Sequence, residues 1–182
     1  MRDVDLLADL FEYLTKGILN EVEGLSDAEL RWQPDAQANP IGVTVWHVGR
    51  WFDVTVVQLL RAGPPEEEQW HTGGWTAATG YDPRGLGWLG AGTLSGYTWA
   101  EVEAVPALPA TELVQYLAQT SAALCAHLRA SPSEALSQPL PLFDGTRTAY
   151  DWLKLLLKDA FGHLGEIQAL KNMQQRLASA CI

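Results

Sequence analysis

Residues 148–170 read TAYDWLKLLLKDAFGHLGEIQAL. Trp152, Leu156, Ile167 and Leu170 recur at three- and four-residue spacing, the period of a helix with one buried face. Thr148 and Asp151 stand at the spacing of an N-terminal capping box. Asp159 and His163 interrupt the apolar stripe four residues apart, which sets both side chains on one face. A carboxylate in a core is costly alone and needs a partner. A divalent metal ion is the strongest partner. A salt bridge to Lys154 or Lys158, an exposed face, and a histidine bonded to another side chain are the plainer alternatives.

Three more periodic segments flank this one. Residues 4–22 carry Leu7, Leu10, Phe11, Leu14, Ile18 and Val22, with Gly24 just beyond as a C-terminal stop. Ser26 and Glu29 fit a capping box over one short turn, and residues 31–39 are a loop. Asn39 is expected to cap a second long helix and Pro40 to open it. That helix presents Ile41, Val45, Val48, Phe52, Val56 and Leu59 and stops at Gly63-Pro64-Pro65. His47 lies beside its apolar face, one turn before Trp51. A third helix, residues 109–130, buries Leu113, Tyr116, Leu117, Thr120, Leu124 and Leu128. It is followed by a connection with a turn at residues 144–145. Four long helices predict an all-α, four-helix bundle.

Residues 64–108 form a long crossover between the second and third of these helices. It holds half of the 16 glycines and half of the eight tryptophans. Loops of this length are functional or disordered, and tryptophan argues against disorder. Thr98 and Glu101 mark one short helix within it. The segment reads either as an ordered cover over one end of the bundle or as a surface excursion that tucks its tryptophans into the core edge.

The 182 residues, 47% hydrophobic and 19% charged, suit one soluble globular domain spanning 1–182. A net charge of −10 and a pI of about 4.7 repel phosphate backbones, and the basic residues are scattered, so no nucleic-acid partner is expected. Cys125 and Cys181 show no paired-motif spacing. Together with acidic Asp3, Asp5 and Asp9 where a signal peptide would be basic, they predict a reduced, cytoplasmic protein. No apolar run reaches about 18 residues, so no membrane span is expected.

Four histidines are present: His47, His71, His127 and His163. If the second and fourth long helices are neighbours, His47 meets Asp159 and His163. Two imidazoles and a carboxylate then suit Zn, Ni, Fe or Mn and leave coordination positions open. Glu166 is placed to orient a ligand or to approach as a catalytic base. His71 reads as a solvated loop residue or a substrate contact, and His127 as an edge residue. Cys125 lacks a base on its own face.

The segment ELRWQPDAQANPIGVTVWHVGRW resembles a signature of the DinB-like superfamily of four-helix-bundle proteins, through Trp32, Pro34, Asn39, Ile41, Trp46 and His47. A second signature is matched by Asp159, His163, Gly165, Glu166 and Ile167, and the loop GLGWLGAGTLSGYTWAEVEAVPAL is also similar to that family. The resemblance implies a divalent metal on His47 and His163, with Asp159 where the family usually has histidine. It also implies a homodimer and, in part of the superfamily, thiol-dependent transferases or isomerases that use a low-molecular-weight thiol.

Three functions follow as expectations. One is a metal-dependent enzyme, a hydrolase or a thiol-dependent transferase or isomerase acting on a small-molecule substrate. Another is a stress-related module that binds metal without turnover. The last is a non-catalytic bundle whose metal site is altered or lost through Asp159.

Overall fold

The computed structural model describes residues 1–140 and 145–180, the side chain of Ala180 apart. Its order is α1 (Asp3–Val22), α2 (Asp27–Arg31), α3 (Ile41–Val54, running on as a π-helical stretch Thr55–Leu60), α4 (Gln69–Thr72), α5 (Trp75–Thr79), α6 (Trp99–Glu103), α7 (Ala110–Ala130) and α8 (Ala149–Ala180). No strand occurs among the described residues; one isolated bridge joins Pro139 and Thr148. The turn expected at 144–145 falls partly outside them, as does Cys181.

The four long helices α1, α3, α7 and α8 make the bundle. α1 and α3 each pack against both α7 and α8, so α1 and α3 are diagonal across the core. Phe11 and Phe52 meet there edge to face, ring centroids 5.5 Å apart. Each helix buries the stripe its sequence carries: Phe11, Leu14 and Ile18 from α1, Ile41, Val45 and Phe52 from α3, Leu113, Leu117 and Leu124 from α7, Trp152, Leu156 and Ile167 from α8. Burying a side chain of this size contributes about 1.5–3 kcal/mol. Gly49 sets the distance between α3 and α7. A Cβ there would stand 2.8 Å from a Tyr116 ring carbon, so Gly49→Ala requires the buried Tyr116 ring or the helices to shift.

Local signals explain three of the helix starts. Ser26 and Glu29 form their capping box, as do Thr98 with Glu101 and Thr148 with Asp151. Asn39 does not cap α3: Pro40 occupies the cap position, and the Asn39 amide donates to the Tyr97 hydroxyl at 3.2 Å. The crossover is a chain of short helical pieces joined by turns and irregular stretches. Trp70 and Trp75 are buried and both pack on Tyr116 of α7, at 5.2 and 5.0 Å between centroids. The segment therefore lies along α3 and α7 with Trp70 and Trp75 in the core, while Trp88 is exposed and Trp99 half-buried, and its later part, residues 91–97, returns to α3 beside His47.

Candidate metal centre

His47 sits at the margin of α3's buried face, with Thr44 and Trp51 one turn to either side. Asp159 and His163 lie one turn apart on α8. Because α3 and α8 are neighbours, the ligand-capable atoms of His47, Asp159 and His163 all fall within 4.8 Å of one another. The two imidazoles meet edge to face, 4.8 Å between centroids at 79°. Among the described residues no other group of three His, Cys, Asp or Glu side chains converges this closely.

Each imidazole is oriented from behind. His47 Nδ1 bonds to the Thr93 carbonyl. A carbonyl can only accept, so Nδ1 carries the proton and Nε2 presents its lone pair. His163 Nδ1 donates to Glu166 at 3.0 Å, and its Nε2 faces Asp159 Oδ2 at 3.5 Å. An imidazole with one nitrogen held by a carbonyl or carboxylate and the other turned to a shared point is the usual support for a metal ligand. Glu166 is thus tied to His163 and stands outside the converging three.

The charges differ along this line. Burial, reinforced by the neighbouring His163, pushes His47 down to about 4, so it is neutral at ordinary pH. Burial also pulls His163 down, but the bonds to Asp159 and Glu166 outweigh it and leave His163 up at about 9. The bond from His163 holds Asp159 below the usual carboxylate range. Asp159 is not the core carboxylate its sequence position suggests, since its side chain is 54% exposed. The buried line of α8 runs through Leu156, Ala160 and Ile167, and small Ala160 takes the core position, so Asp159 falls one step off it. The donor chemistry, two imidazole nitrogens and one carboxylate, fits a divalent transition-metal ion.

A cavity of about 300 Å³ opens onto these three side chains. Val43 and Leu94 supply apolar wall, and Asn39, Thr44, Ser95 and Tyr97 supply polar groups. A larger groove of about 570 Å³ between α1 and α7 is lined by no histidine or cysteine.

The other expected histidines lie elsewhere. His71 is neither a solvated loop residue nor a wall of this cavity: it is on α4, its Nδ1 2.7 Å from the Thr76 hydroxyl and its Nε2 3.6 Å from Glu68. His127 is half-buried at the edge of α7. Cys125 is buried with its thiol pushed up to about 11 by that burial, which removes it as a nucleophile.

A second polar cluster escaped the sequence reading. Arg50, Asp53, Glu68 and Tyr116 are all essentially inaccessible to solvent. Arg50 Nη2 lies 2.9 Å from Glu68 and Nη1 3.5 Å from Asp53. Asp53 accepts from the Gln69 and Trp70 amides at 2.8 and 2.9 Å and from the Tyr116 hydroxyl at 3.1 Å. Burial lowers the guanidinium's hold on its proton, but Tyr116, Glu68 and Asp53 outweigh that and keep Arg50 charged. The readable signal was an arginine and an aspartate three apart in a helix that is otherwise apolar at its centre.

The comparisons agree with this architecture. The solved structure of a conserved protein from Enterococcus faecalis superposes with a TM-score of 0.77 over 94% of this chain and 96% of that one, at 19% sequence identity. That identity supports likeness of fold alone. No curated protein matches the chain. The family model of the DinB superfamily matches residues 10–167, most of the chain and all of the convergent site, and the chain belongs to the DinB superfamily.

Proposed function

We propose that this protein binds one divalent transition-metal ion through His47, Asp159 and His163 and uses it on a small molecule in the adjoining cavity. The observation that carries the reading is the convergence of three ligand-capable side chains within 4.8 Å, each imidazole braced on its far nitrogen by Thr93 or Glu166. When bound, such an ion supplies Lewis-acid chemistry, lowering the pKa of a water or thiol so that it is a nucleophile near neutral pH. The chain's own residues do the rest. Asp159 brings a negative charge to the ion, Thr93 and Glu166 fix the two rings, and Val43 and Leu94 keep water from one side of the cavity. Family resemblance favours a low-molecular-weight thiol as one of the reactants.

The test is metal analysis of protein purified without chelator, followed by titration with Zn, Ni, Fe(II) and Mn, with His47→Ala as control. Near-stoichiometric metal in the parent and none in the variant is the expected result. A parent that carries no metal and takes up none of the four ions sinks the reading. Calorimetry with a thiol on the metal-loaded form then separates an enzyme from a binding module.

One observation favours a second reading. Asp159 already faces the protonated His163 at 3.5 Å, which makes an ion pair that closes the triad on itself without metal. In that case Asp159→His creates metal affinity that the parent lacks, and the bundle is a non-catalytic member of its family.

A further inference from the structure

Resting on the metal reading above, we propose that Arg50 is a positioning residue for His47, acting through the carbonyl run of residues 91–93. Arg50 Nη2 donates to the Ala91 carbonyl at 3.0 Å and Nε lies 3.4 Å from that of Gly92. The next carbonyl in the chain, Thr93, accepts from His47 Nδ1. Three successive carbonyls are thus turned towards α3. Arg50 holds the first two, and the third holds the candidate ligand. His47 and Arg50 are three apart on α3 and so lie side by side on its surface.

This carbonyl run has no helix or strand of its own to hold it. Gly92 has φ +62° and Leu94 has φ +62°, and a branched side chain at positive φ persists only where its surroundings impose it. Backbone bonds from Ala91 to Trp88 and from Gly92 to Leu86 hold the amide side of this run; Arg50 supplies the side-chain donors to its carbonyls and is itself held between Glu68 and Asp53. Glu68 and the amides that hold Asp53 belong to the start of the crossover, and Ala91 to Thr93 to its later part. One guanidinium therefore ties both parts of the crossover to α3. A hydrophobic residue could fill the same space, but it offers no directed donors, whereas the planar fork addresses two carbonyls and two carboxylates at once. The consequence reaches the site: the ring angle and tautomer of His47 are set before any ion arrives.

The test reads the His47 tautomer and the metal affinity separately. Long-range proton–nitrogen NMR of the metal-free protein above pH 7 is expected to show His47 in the Nδ1–H form. Arg50→Lys keeps a positive charge beside Glu68 and Asp53 but lacks the fork. Gly92→Ala leaves the ion pairs intact and displaces the carbonyl run, because a methyl at that positive φ runs into the Pro83 carbonyl. Both variants are expected to give mixed His47 tautomers and roughly 10- to 100-fold weaker Zn binding, the usual cost of losing a ligand's support. The signals of His127 are expected to stay unchanged.

An Nε2–H tautomer in the parent overturns the proposal with no variant needed. Folded variants that keep both the parent tautomer and its Zn affinity overturn it as well. If the parent binds no ion while its tautomer still follows Arg50 and Gly92, the metal reading fails and the positioning role stands. If Zn binds tightly and neither variant weakens it, the positioning role fails and the metal reading stands.

Discussion

Two polar clusters sit one helical turn apart on α3 and have opposite characters. Arg50, Asp53, Glu68 and Tyr116 are sealed from solvent, and one guanidinium stands between the two carboxylates. His47, Asp159 and His163 stand at the rim of a cavity, and their converging atoms face one another. A sealed ionic cluster depends on partners within the chain, because nothing else can reach it. An open one can leave a shared point for a ligand, because water or an ion satisfies it when the protein does not. The contrast shows a division of labour: the sealed cluster fastens the crossover on which the open one depends.

Breaking the sealed cluster has the largest expected effect. Arg50→Met leaves Asp53 and Glu68 buried without a cation and is expected to cost about 3–5 kcal/mol in urea unfolding. His47→Ala should cost at most about 1 kcal/mol of stability, since its side chain faces a cavity, yet lower metal affinity by at least about 100-fold in a metal-competition assay. Equal stability losses from the two would erase the distinction.

Smaller effects sharpen it. Glu166→Gln weakens the brace on His163 and is expected to reduce metal affinity about 10-fold with the fold intact. Metal affinity should also rise with pH. His163 keeps its proton up to about 9, and an ion must displace that proton, so apparent affinity gains about tenfold per pH unit and levels above that value. His47, already neutral above about 4, adds no slope there. In metal-free protein the sign reverses for stability. The raised pKa of His163 stabilises the fold fully below its ordinary value of about 6.5, and this is lost as pH climbs through about 9. The smallest effect belongs to an open ion pair: Lys171→Ala removes the contact to Glu21 at 3.0 Å and should cost under about 1 kcal/mol in the same unfolding experiment.

The apolar periodicity of four segments determined the bundle, because a helix of period 3.6 with one greasy stripe can only bury it against others of its kind. Capping boxes at Ser26, Thr98 and Thr148 determined three helix starts by bonds that span three residues. The pairing of Asp159 with His163 was equally local. What only the tertiary structure decided was the meeting of α3 with α8, which brings His47 to the other two across more than a hundred residues of chain. It also decided that Asp159 is open to solvent, since tiny Ala160 takes the core position beside it. Above all it decided the link from Arg50 through the carbonyls of residues 91–93 to His47. Backbone carbonyls look the same at every position of a sequence, and only the folded path of the crossover selects which three of them face the helix.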